Sequence, residues 1–412
     1  MDAAQRQLLI PEAFELPDLP LNAACQHYTR NTPGPRKDRS MVPTSRTTST
    51  AILLSGLLLL TSCGDNSDQP PQPATSETPA AASSLGEPET VAENLDAPWS
   101  IAFYNGIPLV SERDSARILE LDDAGQAREV TVVEDAAPRG EGGLLGLAVH
   151  ENHLYAYYTA KNENRIERFS ISGDPGSLTL GNAETILDGI PAGSTHNGGR
   201  LARGPDNMLY ATAGDAGNRE DAQDRESLSG KILRLTPEGE VPEDNPFPDS
   251  PVYSYGHRNP QGLAWAEDGT MYASEFGQNT WDELNVIESG GNYGWPEVEG
   301  MGDNDEYINP VQQWEPSEAS PSGIAILGNS LFMANLRGAR LHEIPRENTS
   351  HSVSHLIDEY GRLRDVTVAP DSSLWVMTNN TDGRGNPAPE DDRILSFTPP
   401  TEQSSGEESP GS

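Results

Sequence analysis

A hairpin that returns six times constrains this chain more than anything else in it. Each copy is a short apolar run, a turn rich in Asp, Asn, Gly or Pro, and a second apolar run that ends in a polar loop. The copies begin at Trp99, Leu145, Gly199, Gly262, Gly323 and Asp365. They lie roughly 40 to 65 residues apart, the spacing of propeller blades. The turn residues tolerate the positive φ that a tight hairpin needs. One copy alone leaves an apolar face bare, and radial stacking against its neighbours buries it. Almost no stretch carries the 3.6-residue period of a helix. The reading is all-β: a six-bladed β-propeller of four-stranded antiparallel blades over residues 88–398. Thr90-Val91-Ala92 is expected to supply the strand that closes the last blade. Such a fold hosts binding modules and enzymes alike, so function has to come from the loops.

The segments outside this region read differently. Near Met41 a polar stretch with Arg46 leads into an apolar run, Ala51 to Leu60. That run is too short to span a bilayer and suits the apolar centre of a signal peptide. It ends in Leu60-Thr-Ser-Cys63, the pattern of a bacterial lipoprotein, in which the thiol of Cys63 becomes the lipidated terminus. Residues 41–62 are therefore read as a lipoprotein signal and 63–87 as a flexible tether of Pro, Ala, Ser and Thr. Residues 1–40 read as a non-native or disordered leader, and 399–412 as a disordered acidic tail. The expected location is outside the cytoplasm, as a periplasmic or cell-surface lipoprotein held to a membrane at Cys63. With Cys25 the only other cysteine, the domain has no disulfide and no thiolate metal site.

The formal charge is −37, and lysine occurs only at positions 37, 161 and 231. So acidic a chain repels nucleic acid, and no nucleic-acid partner is expected. Against that background three loops stand out. His196-Asn-Gly-Gly-Arg200 opens one strand of the third hairpin, and Ala213-Gly-Asp215 closes its partner. The hairpin can therefore bring His196 and Asp215 to one rim, where a carboxylate fixes the imidazole tautomer. A loop histidine satisfied by a turn is the bland alternative. Tyr255-Gly-His257-Arg258-Asn-Pro-Gln261 precedes the fourth hairpin. In Tyr360-Gly-Arg362-Leu-Arg364-Asp365 the two arginines alternate and point to one side of an extended chain. With Arg337 they suggest a cationic well for a multiply anionic ligand, or else neutralise nearby carboxylates.

Six motifs occur in order: Gly140-Glu-Gly-Gly-Leu-Leu-Gly, His196-Asn-Gly-Gly-Arg with Gly214-Asp215, Tyr255-Gly-His-Arg-Asn-Pro-Gln, Glu275-Phe-Gly-Gln-Asn-Thr-Trp-Asp-Glu, Gly291-Asn-Tyr-Gly-Trp-Pro and Leu363-Arg-Asp. Together they resemble the PQQ-dependent soluble glucose and aldose sugar dehydrogenases. The resemblance implies oxidation of aldose sugars at C1 to the lactone, with electrons passed to a quinone or cytochrome acceptor. It implies His196 as the base, Asp215 as its orienting partner and Arg258 as the donor to the reacting quinone oxygen. Glu141, Asn259, Arg337, Arg362 and Arg364 would contact PQQ. It also implies Ca2+: one ion at the carbonyls of Gly277 and Gln278, and a structural one drawing on Glu283, the Tyr293 carbonyl and Asp303. Two departures stand out: Glu141 where the glucose enzymes have Gln, and Gln278 in place of a Pro. Long substrate loops of the glucose specialists are also missing, which implies a broad aldose preference. The alternatives are a non-catalytic propeller that binds sugar or protein, and a calcium-dependent lactonase-type hydrolase.

Overall fold

The computed structural model describes residues 85–398. The expectations for Cys63, the signal segment, most of the tether and the tail lie outside the described residues. Strand β1 is Glu89–Ala92. The first blade holds β2 (Pro98–Tyr104), β3 (Ile107–Glu112), β4 (Arg117–Leu121) and β5 (Ala127–Val132). The second holds β6 (Leu144–His150), β7 (His153–Thr159), β8 (Glu163–Ser172) and β9 (Thr179–Pro191). The third holds β10 (Leu201–Arg203), β11 (Leu209–Ala213), β12 (Lys231–Leu235) and β13 (Val252–Tyr255). The fourth holds β14 (Pro260–Trp265), β15 (Met271–Glu275), β16 (Asp282–Ile287) and β17 (Gln312–Trp314). The fifth holds β18 (Pro321–Leu327), β19 (Ser330–Asn335), β20 (Arg340–Pro345) and β21 (Val353–His355). In the sixth, β22 (Leu363–Val368), β23 (Leu374–Thr378) and β24 (Ile394–Phe397) are joined by β1.

Each blade is one four-stranded sheet, giving six among the described residues, and every ladder is antiparallel. The β1–β24 pairing, Glu89 opposite Ser396 and Thr90 opposite Leu395, joins the two ends of the domain in one blade. This is the closure expected of Thr90-Val91-Ala92. It leaves no open blade edge at the seam, where a free row of N–H and C=O groups would invite pairing with another chain.

The hairpin turns carry the predicted backbone. Asn105 and Gly106, the two-residue link between β2 and β3, both have positive φ, at 49° and 85°. That is the primed turn whose twist matches the flanking strands. Three of the innermost strands, β6, β14 and β18, approach the next blade so closely that a side chain is excluded at Gly146, Gly262 and Gly323. A Cβ on Gly262 would lie 2.3 Å from the Ser322 carbonyl oxygen of the next blade. Between blades the packing is apolar: Leu109, Ile118, Leu144, Leu154 and Tyr158 form one seam, and Tyr157, Ile166, Leu201 and Leu233 another. Each such leucine taken fully out of water contributes about 2 kcal/mol. The domain holds together without a disulfide because these seams run all the way round.

Candidate active site

The loops that precede the inner strands, and those that follow the second strands, meet on one face. There they enclose a cavity of ≈ 300 Å³. His196 lies in the loop before β10 and Asp215 in the loop after β11, as the sequence predicts. Gly214 is required between β11 and Asp215, because a Cβ there would lie 2.1 Å from the His196 carbonyl oxygen. His196 has φ 56°, a left-handed conformation that costs a non-glycine residue about 1 kcal/mol. Two bonds hold it there: its N–H donates to Oε2 of Glu141 at 3.0 Å, and its carbonyl accepts from the Ala216 N–H at 3.1 Å.

The imidazole is fixed at both nitrogens. Nδ1 is 2.7 Å from Oδ1 of Asp215, and Nε2 is 3.0 Å from Nη2 of Arg258. A guanidinium can only donate. Nε2 is therefore the acceptor, and Nδ1 carries the proton toward the carboxylate. Asp215 is buried, which by itself would raise its pKa. The bonds from His196, from the Gly217 N–H at 2.8 Å and from Nε1 of Trp295 at 2.9 Å outweigh that and hold its pKa below the ordinary value. The site thus holds a neutral imidazole whose reactive nitrogen faces the cavity beside a cation, the arrangement of a general base.

Six arginines line this same cavity: Arg113, Arg258, Arg337, Arg362, Arg364 and Arg384. Arg113 pairs with Asp114 at 2.7 Å, Arg362 with Asp382 at 3.1 Å and Arg384 with Glu141 at 3.2 Å. Among the described residues Arg364 has no carboxylate partner. It is 3% exposed and donates to the side-chain oxygens of Asn379, Gln261 and Ser322. Burial, then the neighbouring Arg113 and Arg362, push its pKa down to about 9. Nε of Arg258 is buried with no partner among the described residues, and burial lowers that guanidinium's pKa too. Arg337 is exposed at the rim. A buried cation without a counter-ion is costly, so this wall is built for an anion with more than one charge.

Residues 95–386 match the family model described as glucose/sorbosone dehydrogenase. The chain belongs to that family. The dehydrogenase superposes on the PQQ-bound aldose sugar dehydrogenase of Streptomyces coelicolor with a TM-score of 0.72. The two are 50% identical, over 75% of this chain and 96% of the other. It is 28% identical to aldose sugar dehydrogenase YliI of Escherichia coli, over 72% of this chain and 90% of that one. To quinoprotein glucose dehydrogenase B of Acinetobacter calcoaceticus it is 32% identical, over 53% of this chain and 54% of the other. The resemblance carried by the six motifs is confirmed.

Most of the residues singled out in the dehydrogenase sequence meet at this cavity: Glu141, His196, Arg258, Asn259, Gly277, Gln278, Arg337, Arg362 and Arg364 all line it. Asp215 stands behind His196. Asn259 is buried, and its side-chain oxygen accepts from the Gly198 N–H at 3.0 Å, tying the histidine loop to the fourth blade. His257, next to Arg258 in sequence, turns the other way. It is fully buried between Glu275 and Ser254 and stacks on Tyr293.

The residues suggested for a structural ion divide. Glu283 and Tyr293 line a second, small cavity with Glu275 and Glu299, whereas Asp303 is exposed and is not part of it. Burial, then the nearby Glu275, raise the Glu283 pKa well above the usual carboxylate range. Among the described residues no three His, Cys, Asp or Glu side chains are grouped to hold a metal.

Sequence reasoning missed Trp99, Arg113, Asp282, Arg384 and Trp295. Arg113 had a signal: it directly follows the second strand of its blade, as Arg337 nearly does in the fifth. Arg384 had none, because the loop between β23 and β24 belongs to no repeat.

Proposed function

We propose that this protein oxidises aldose sugars at C1 to the lactone with PQQ as its cofactor and His196 as the base. The observation that carries this is the His196 imidazole, oriented by the Asp215 carboxylate and set within a ring of arginines in an otherwise acidic chain. The arginine wall fits a flat tricarboxylate: among the described residues, buried Arg364 has no counter-ion, Arg337 has no carboxylate partner, and Arg258 has an unpartnered Nε. PQQ, when bound, would supply the acceptor for the hydride that leaves C1 of the sugar, and that hydride carries both electrons of the oxidation.

The chain does the rest. His196 receives the C1 hydroxyl proton at Nε2, and Asp215 stabilises the imidazolium that results. Arg258 is displaced from Nε2 by the sugar hydroxyl, and its charge is then available to the oxygen on which negative charge grows. Arg337, Arg362 and Arg364 hold carboxylates, and Asn259 and Glu141 complete the wall.

The reading extends to Ca2+ at the carbonyls of Gly277 and Gln278. Oxygen donors suit that hard cation. Both residues line the cavity together with the buried carboxylate of Asp282. In this structure the Gly277 carbonyl accepts from Nη1 of Arg258. A positive partner already suits this oxygen. A second ion beside Glu283 and the Tyr293 carbonyl belongs to the same proposal. We further propose a broad aldose preference, a quinone or cytochrome as final acceptor, and anchoring outside the cytoplasm through Cys63.

The test is reconstitution of the apo protein with PQQ and calcium, followed by reduction of an artificial acceptor on a panel of aldoses, with His196→Ala in parallel. Activity that requires PQQ, calcium and His196 is the expected result. Absence of PQQ binding overturns the proposal.

A further inference from the structure

Trp295 touches both groups that flank the imidazole. Its Nε1 donates to Oδ2 of Asp215 at 2.9 Å, the oxygen that His196 leaves free. Its ring lies under the Arg258 guanidinium, 5.5 Å from the ring centroid, and Arg219 covers the same ring at 4.8 Å. Arg258 in turn donates to Nε2 of His196. One side chain therefore governs the partner of each imidazole nitrogen. Trp295 is itself held. It is 6% exposed, its backbone N–H donates to the Gly256 carbonyl at 2.9 Å, and its backbone carbonyl accepts from the Gln223 side chain at 2.7 Å.

A carboxylate bound at only one oxygen can rotate about its Cβ–Cγ bond, and the imidazole it steers would rotate with it. Asp215 is bound at both. Oδ1 accepts from His196 and the Gly217 N–H, and Oδ2 accepts from Trp295. No other hydrogen bond to Oδ2 is present among the described residues. We infer that Trp295 is a positioning residue for the oxidation: its indole N–H locks the Asp215 carboxylate, and its ring face sets the Arg258 guanidinium, so that His196 Nε2 is aimed at the substrate hydroxyl. This rests on the proposed function for its kinetic part only. The indole does not line the sugar cavity, so its loss should act on the chemical step and not on sugar or cofactor binding.

The test uses two replacements in the full chain. Trp295→Phe keeps an aromatic face but loses the N–H. Substitution by the benzothienyl analogue of tryptophan keeps the shape of the indole and exchanges N–H for sulfur, so folding is preserved. The expected result in the reconstituted enzyme is a kcat lowered about tenfold or more, as for loss of a bond to a charged group. KM for the aldose and the affinity for PQQ should stay within about twofold. In the cofactor-free protein, the downfield proton signal of the Asp215–His196 bond should be present in wild type and broadened or lost in both variants. An unchanged kcat with an unchanged proton signal overturns the inference. So does a kcat loss matched by an equal loss of PQQ affinity in the isosteric variant, which marks a merely structural role. If the wild type binds no PQQ, the functional reading fails, and the proton signal alone decides for or against Trp295.

Discussion

Nη2 of Arg258 lies 3.0 Å from Nε2 of His196, on the nitrogen that has to accept a proton. Because the guanidinium donates, this contact fixes the tautomer: Nδ1–H to Asp215, lone pair at Nε2. The base is thus poised before any substrate arrives, and a sugar hydroxyl has only to replace one donor by another. A lysine or glutamine would not span from His196 to the Phe276 and Gly277 carbonyls as this guanidinium does.

Asp215→Asn should leave the shape of the site intact and lower kcat by about 100-fold or more, because an amide offers Nδ1 no charge to stabilise the imidazolium. Steady-state kinetics on the reconstituted enzyme checks this. PQQ affinity, measured by absorbance titration, should not move.

Arg364→Gln should weaken PQQ binding by about 10- to 100-fold, the loss expected of one buried charge-assisted contact. Thermal shift gives a second measure. Cofactor at 100 times Kd stabilises the wild type by about 2.7 kcal/mol, and the same PQQ concentration should stabilise the variant less. An equal shift in both proteins would remove Arg364 from the binding wall.

Glu141→Gln keeps an acceptor for the His196 N–H but removes the charge that pairs with Arg384. That ion pair is partly exposed, with side chains 24% and 45% accessible, so stability should change by less than about 1 kcal/mol. The freed Arg384 guanidinium then faces the cavity, and KM across an aldose panel should change more than kcat does. Chemical denaturation and the kinetic panel separate the two effects.

Away from the site, His342 gives the fold an acid-sensitive point. Burial lowers its pKa to about 4, against a weaker opposing bond to the Glu318 carbonyl, and it stacks on Trp314. The pKa is depressed on folding, so the unfolded chain takes up this proton first. The stabilisation is complete above about pH 6.5 and is lost as pH falls toward 4, amounting to about 3 kcal/mol. Urea midpoints measured from pH 7 to pH 4 should fall. The fall should be smaller in His342→Gln.

Much of the fold was legible because a propeller repeats. Six hairpins with the same turn chemistry state the blade count, and Thr90-Val91-Ala92 could be assigned to the closing strand. The His196–Asp215 pair was legible for the same reason, since one hairpin joins them. His257 and Arg258 show the limit. They are adjacent in sequence and equally polar, yet one is sealed between Glu275 and Tyr293 while the other faces the cavity.

The sequence by itself determined what recurs locally: all-β hairpins, their number, the family, and the arginines and histidine at the hairpin ends. Only the tertiary structure decided what lies between blades. Trp295 of the fourth blade meets Asp215 of the third, Arg384 of the sixth reaches Glu141 before the second, and Arg364 is buried against the neutral side chains of Asn379, Gln261 and Ser322. The physical reason is that each of these depends on how closely neighbouring blades pack and on how much water they expel. Those quantities arise from the ring as a whole and are written in no single repeat.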